Sequence, residues 1–319
     1  MTFVVRCASV SLAFFFLAYC ALSVTVARGW RAVRRVAAGL PARHVADLLF
    51  VLRLFPLASA ALVTLAFVLP SFLLLEPRRS AERIGEVPFV LSVACLLWLG
   101  FGVWRAGQAY ARTEKTVAGW MEQSTAGPAC ERVPVFRIRP SVPALTVAGM
   151  WSPKMLLSEA AASVLGVREL HTALRHELAH VRRWDNLKKL VFRLSAFPGM
   201  LALESAWGEA EEMAADDAAV TSVSDALDLA SALIKLSRLA PLHPSAALTT
   251  ALVNNSTASV NMRVARLVAW DETQAREGRP HIFSWYAKAA VVGTTLSLLI
   301  TYGAALRDLH ALTELLVRQ

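Results

Sequence analysis

Four long apolar stretches divide the chain. They run from about Cys7 to Ala27, from about Phe55 to Leu75, from about Phe89 to Val103 and from about Ile282 to Leu306. The third reaches useful length only if Trp104 to Ala111 carry it to the interface, giving a span at about 89–108. Each then supplies close to the roughly 20 residues that a helix needs to cross about 30 Å of hydrocarbon. Helices are the expected form, because lipid offers no water to an unpaired backbone. The first stretch could be a signal peptide, with Val24-Thr25-Val26-Ala27 loosely resembling a cleavage site. It is longer than a signal core, however, and Arg28, Arg31, Arg34 and Arg35 follow it at once, so it reads as a retained helix with a stop-transfer flank. Trp285 and Tyr286 are placed as interfacial anchors of the fourth span, and Lys288 and Arg53 are expected to snorkel.

Between the third and fourth spans lies the only long polar region, 112–281. Val135-Phe136-Arg137-Ile138-Arg139 alternates as a strand does, and Leu145-Thr146-Val147-Ala148 and Lys154-Met155-Leu156-Leu157 read as two more, separated by a turn with Gly149 and Pro153. From Ser158 onward helical periodicity takes over. Ser158 is placed to cap a short helix ending near Gly166, and Val167 to Arg183 reads as a longer one. Phe197-Pro198-Gly199 breaks the next, and further helices are expected at about 203–221, 224–239 and 259–268. The pattern therefore predicts a mainly α protein with a small β-sheet. Residues 1–111 hold three spans, 112–281 form an inserted domain, and 282–319 hold a fourth span (about 282–306) with a short tail.

Composition agrees with lipid. Of 319 residues 56% are hydrophobic and only 18% charged, against about 25% charged in ordinary soluble domains. A disordered chain would be poor in apolar residues and is excluded. The net charge of +9 fits basic loops against anionic headgroups better than nucleic acid, for which no recognition helix stands out. The basic residues flanking the spans divide eleven to six, the larger group comprising Arg28, Arg31, Arg34, Arg35, Arg43, Arg105, Arg112, Lys115, Arg276, Arg279 and Lys288. The positive-inside rule then puts 112–281 in the cytoplasm of a bacterial inner-membrane protein and both termini outside. Cys7, Cys20 and Cys95 sit in apolar runs and Cys130 stands alone, so neither a disulfide framework nor a cysteine metal cluster is available.

His176-Glu177-Leu178-Ala179-His180 carries the chemistry. Histidines four apart share a helix face and can point at one metal ion. Glu177, beside the first of them, is placed as general base toward a metal-activated water. The helix has an apolar stripe of Leu170, Leu174, Leu178 and Val181 among Arg175, Arg182, Arg183 and Asp185, a pattern for a soluble domain rather than for hydrocarbon. Catalytic zinc takes three protein ligands and leaves a fourth position open. Downstream, Glu204, Glu209, Glu211, Glu212, Asp216 and Asp217 crowd one predicted helix. Glu209, Glu212 and Asp216 share a face, and periodicity alone does not choose among them. An acidic solvated face is the bland alternative.

These residues resemble a known family. His176-Glu177-Leu178-Ala179-His180 followed by Arg183, Asp185 and Asn186 is similar to the HELxH-x-x-R-x-D-N signature of the BlaR/MecR-type antirepressor membrane metalloproteases. Glu212-Met213-Ala214-Ala215-Asp216 looks like their E-x-A-C-D motif, with Ala215 in place of the Cys. Gly149 to Ser158 resembles the strand region ahead of the zinc helix, and Phe197-Pro198-Gly199 the break between the motif helices. Three helices before the protease and one after is that family's layout, so the resemblance covers nearly the whole chain. It implies a cytoplasmic gluzincin-like domain with one Zn2+ per chain, ligated by His176, His180 and Glu212, and with Glu177 as base. Asp216 would orient a ligand histidine, and Asp185 and Asn186 would cap or brace the zinc helix. Only about a dozen residues follow Leu306, so the penicillin-binding sensor of β-lactam-responsive members is not expected here.

The implied activity is zinc-dependent endopeptidase action on a protein or peptide, by resemblance a transcriptional repressor or the protease itself. An extended substrate is expected to add to an exposed sheet edge at Leu145, Thr146, Val147 and Ala148. His171 and His243 are candidates for stabilising the oxyanion. Two competing readings are a quality-control protease resembling the HtpX or CAAX-processing type and a catalytically silent membrane scaffold.

Overall fold

The computed structural model describes residues 3–76, 85–122, 124–127, 129–139, 144–239, 248–251, 257–271, 306–308 and 311. The chain is mainly helical with one small mixed sheet. Three long helical segments come first: α1 (Phe3–Val36), α2 (Ala42–Val63) carried through a π-helical turn (Thr64–Val68) into α3 (Leu69–Leu75), and α4 (Glu86–Met121). All three are long and apolar enough to cross a membrane. The expected fourth span, about 282–306, lies outside the described residues apart from Leu306.

These helices outrun the apolar stretches that announce them. The second starts at Ala42 rather than near Phe55, and α4 passes through the boundary expected at 111–112 to reach Met121. Hydropathy marks the part of a helix that lipid could cover, whereas its continuation needs only an amphipathic surface against protein. In α4 that surface is Val117, which packs with Ile138, Ala148 and Leu156 of the sheet. Among the spans, Phe15, Tyr19, Ala60 and Cys95 form a shared core. At one end of the bundle Arg6 and Glu76 make a buried ion pair.

The sheet has the order β1-β2-β4-β3-β5, with β1 (Thr125–Ala126), β2 (Val135–Ile138), β3 (Leu145–Ala148), β4 (Lys154–Ser158) and β5 (Thr250–Ala251). β2 and β4 run parallel, Val135 opposite Met155. The other pairs are antiparallel. Ser158 then caps α5 (Glu159–Val164), its Oγ accepting from the Ala161 amide at 3.1 Å. α6 (Val167–Arg183), α9 (Val223–Leu239) and α10 (Thr257–Val268) pack with the sheet around Leu145, Val147, Leu178, Leu229, Leu233 and Val260.

Between α6 and α9 the chain makes a helical hairpin. Trp184 adopts a left-handed conformation, φ 59°, which ends α6 and sends the chain straight into α7 (Asp185–Leu194); α8 (Leu201–Ala219) returns. The tip of this hairpin is seated among the spans. The Ser195 carbonyl accepts from Tyr19 Oη at 3.0 Å and from Arg53 Nη2 at 2.7 Å. Trp98 Nε1 donates to the Ala196 carbonyl at 3.0 Å, and Phe197 meets Tyr19 edge-on at 5.7 Å. Gly102 makes the seat possible, because a Cβ there would lie 2.2 Å from the Leu194 carbonyl oxygen.

Arg53 does not snorkel. It is 1% exposed, donates to Glu204 Oε1 at 2.9 Å and to Ser195, and lies 5.4 Å over the Phe192 ring. The reason is the hairpin, which brings the Glu204 carboxylate and the Ser195 carbonyl to it, so the guanidinium is satisfied without reaching for water.

Candidate metal centre

His176 and His180 stand one turn apart on α6, both buried, with their Nε2 atoms 3.2 Å apart. Glu212 comes from α8: its Oε2 is 3.5 Å from His176 Nε2 and its Oε1 3.8 Å from His180 Nε2. The three residues could hold a metal ion. Ligand atoms about 2.0–2.1 Å from a tetrahedral zinc are about 3.4 Å from one another. The observed separations, 3.2, 3.5 and 3.8 Å with Glu212 turning a different oxygen to each histidine, lie around that value.

The outer nitrogens of both rings face carboxylates. Asp185 Oδ2 is 2.9 Å from His180 Nδ1. Asp216 Oδ1 is 3.0 Å from His176 Nδ1, at hydrogen-bond distance but off the line of the N–H. Carboxylates there favour the proton on Nδ1 and leave both Nε2 lone pairs converging beside Glu212, an arrangement that a cation relieves. Burial disfavours charge on either ring, yet Asp216 and Glu212 raise His176 and Asp185 raises His180 above the ordinary histidine value. Burial also opposes the charged form of Glu212, but Arg263 and the two histidines hold it down at about 2. Glu177 is fully buried with neither carboxylate oxygen hydrogen-bonded. Burial pushes it up to about 8, opposed by His180 and aided by Glu212. A buried carboxyl without hydrogen-bond partners beside two histidines is a candidate functional group.

The acids of α8 separate into distinct tasks. Glu209, which shares a face with Glu212, instead reaches Arg34 at 3.1 Å and is 38% exposed. Glu204 belongs to Arg53, Asp217 pairs with Arg266 at 2.5 Å, and buried Glu211 pairs with Lys189 at 3.1 Å. Only Glu212 and Asp216 turn toward both α6 and α10. There Arg263, 2% exposed, grips them: Nη1 is 2.8 Å from Glu212 Oε2, while Nη2 and Nε donate to Asp216 Oδ1 and Oδ2 at 2.6 and 2.8 Å. Sequence reading missed Arg263, whose only signal was an arginine in a short amphipathic helix.

Two expectations need correction. Asp185 is not simply a cap or brace: the turn at Trp184 brings it back onto His180, so it orients one imidazole of the candidate metal group. Asn186 does reach the sheet, its Nδ2 donating to the Val147 and Gly149 carbonyls at 3.4 and 3.3 Å. The second correction concerns Leu145, Thr146, Val147 and Ala148. All four are buried, and β3 is no open edge, because β4 covers one side and β5 the other, with Thr146 opposite Ala251 and Val147 opposite Thr250. A two-residue strand from a hundred residues downstream leaves no periodicity to read.

A cavity of about 70 Å³ adjoins His180, lined by Met150, Trp151, Trp184 and Asn186 among others, with Trp151 and Trp184 in edge contact at 6.3 Å. His171 is exposed and stands apart from the buried pair, and His243 lies outside the described residues. No family model and no curated protein matches this chain.

Proposed function

We propose that the chain is an integral-membrane zinc endopeptidase of the BlaR/MecR type, cutting peptide bonds on the cytoplasmic side in regulatory proteolysis of a repressor or of itself. The observation that supports it is the convergence of His176 Nε2 and His180 Nε2, 3.2 Å apart, on the Glu212 carboxylate, whose Oε2 is 3.5 Å from the first and Oε1 3.8 Å from the second. Two imidazoles and one carboxylate are the donor set of a catalytic zinc site with one position left for water. Zinc held there supplies Lewis acidity to a scissile carbonyl and lowers the pKa of a water toward neutrality.

The chain's own residues do the rest. Glu177 takes the proton of the attacking water and hands it to the leaving amine. Asp185 and Asp216 keep the imidazoles turned inward, and Arg263 fixes the carboxylates. The cavity beside His180, rimmed by Trp151 and Trp184, gives an apolar substrate side chain a place next to the reacting centre.

The site's height suits a membrane protease. Glu209, one turn before Glu212, meets Arg34, which at 1.5 Å per residue is about 10 Å beyond Ala27, the end of the first apolar stretch. The reacting centre then sits just above the headgroups, within reach of juxtamembrane segments and soluble regulators.

Glu177→Gln tests the reading. The purified variant should keep one zinc per chain and lose cleavage, whereas Glu212→Ala should lose much of both. Normal turnover by Glu177→Gln protein overturns the mechanism. Comparative proteomics of cells carrying either protein should show one stabilised polypeptide; many stabilised membrane proteins would mark a quality-control protease instead.

A further inference from the structure

The last turns of α1 and the start of α2 enclose, with α8 and α10, a cavity of about 590 Å³ whose lining includes Trp30, Arg31, Arg34, Arg35, Met213 and Arg266. Its volume falls in the range of about 300–1,000 Å³ usual for small-ligand sites. Its charge is one-sided. Arg34 and Arg266 are answered by Glu209 and Asp217, but Arg31 and Arg35 are exposed and have no ion pair among the described residues. Two positive charges are therefore left over at the mouth of one cavity. Trp30 is 5% exposed, and the Arg31 guanidinium lies 5.5 Å from its ring centroid.

The position along α1 says which anion would meet them. Arg31 and Arg35 follow Ala27 by four and eight residues, so they stand about 6 and 12 Å beyond the apolar stretch. The polar layer of each leaflet extends about 5–8 Å past the hydrocarbon. Arg31 is thus level with lipid phosphates and Arg35 just above them, able to reach down.

We propose that this cavity binds the phosphodiester headgroup of an anionic phospholipid, and that a headgroup with two phosphodiesters, matching the two unanswered arginines, binds best. The site joins α1 and α2 to α8 and α10, so its occupant ties the spans to the helices that carry Glu212 and Arg263. The proposal stands independently of the protease assignment.

Native mass spectrometry of the delipidated full chain in neutral detergent tests it, with diphosphatidylglycerol, phosphatidylglycerol and phosphatidylcholine titrated separately and glycerol 3-phosphate as soluble competitor. Wild type should prefer diphosphatidylglycerol to phosphatidylcholine by about thirtyfold, the contribution expected of two arginines near a membrane surface. Arg31→Ser/Arg35→Ser should abolish most of that preference with unchanged thermal midpoint. Ala38→Trp, which fills the lining without touching a charge, should do the same. Arg105→Ser/Arg112→Ser, the same charge removed from α4, should leave it intact. Undiminished preference in the first two variants overturns the proposal, and so does equal loss in the α4 control, which would mean diffuse attraction. Displacement by glycerol 3-phosphate at concentrations comparable to the lipid would assign the cavity to a soluble phosphate ester and equally end the lipid reading.

Discussion

Arg263 donates to both carboxylate oxygens of Asp216, at 2.6 and 2.8 Å, and through them governs the group that faces His176 Nδ1. The same guanidinium touches Glu212. One side chain from α10 thereby controls a candidate ligand and the partner of another. Arg263→Ala should weaken zinc binding by about 10–100-fold, the usual cost of losing a group that orients a ligand. Arg263→Lys should recover only part, since an ammonium cannot span two oxygens as a guanidinium fork does. Competition with a chromophoric chelator measures both. Wild-type affinity in Arg263→Ala would remove the arginine from the site's machinery.

The seat of the hairpin makes a sharper structural prediction. Gly102 faces the Leu194 carbonyl so closely that a methyl group cannot fit, whereas Gly100, half a turn away, meets nothing within 4 Å. Gly102→Ala forces α4 and α7 apart and should cost about 1–3 kcal/mol as overpacking. Gly100→Ala should be neutral or stabilise by about 0.5–1 kcal/mol, as replacing glycine inside a helix does. Thermal midpoints in detergent distinguish the two, and equal behaviour would show that α7 does not dock on α4 as described.

What could be read in advance followed from local rules. Val135–Ile138 and Lys154–Ser158 announce themselves by residue type and flanking turns, and α6 by its stripe and by Gly166 at its start. The spacing of His176 and His180 is likewise local, four residues on one helix. What stayed hidden depends on distant partners. Arg53 looks like a snorkelling residue until Ser195 and Glu204, 142 and 151 positions away, are brought to it. Asp185 looks like a brace because a tryptophan in the left-handed region is rare, and without that reversal at Trp184 the carboxylate would not return to His180. β3 looks like an edge because its cover, Thr250–Ala251, is too short to carry a pattern. Glu209 and Glu212 are equivalent by periodicity and are separated only by Arg34 and Arg263.

Arg53 offers a test of how the long apolar helices hold the half that carries the candidate metal centre. Its guanidinium is buried against Glu204, Ser195 and Phe192. Removing one partner of a buried pair typically costs about 3–5 kcal/mol, because the other charge is left stranded. Arg53→Ala should accordingly lower the thermal midpoint sharply. In Arg53→Ala the stranded Glu204 is 25% exposed and recovers some hydration, whereas Glu204→Ala strands a guanidinium that is only 1% exposed. Glu204→Ala should therefore cost at least as much. The Arg53→Ala/Glu204→Ala double variant should lose clearly less than the sum of the singles; strict additivity would deny the coupling.

The start of α6 carries a pH-dependent contribution remote from the metal centre. Glu169 accepts from the Gly166 amide at 2.7 Å, from Lys235 Nζ at 2.7 Å and from Ser231 Oγ at 2.5 Å. Burial by itself would raise its carboxyl, but Lys235, Ser231 and the Gly166 amide together hold it below the ordinary value of 4.5. A carboxyl depressed in the folded state stabilises fully above its unfolded pKa and loses that contribution as pH falls through the folded one. Glu169→Gln keeps an acceptor for the amide but gives up the charge. The stability gap between wild type and Glu169→Gln should therefore be constant near neutrality and close progressively below about pH 4.5. Urea unfolding of the two proteins at a series of pH values measures it. A gap that stays open in acid would mean that Glu169 acts through shape alone, and the ion pair to Lys235 would then contribute nothing to anchoring α6 on α9.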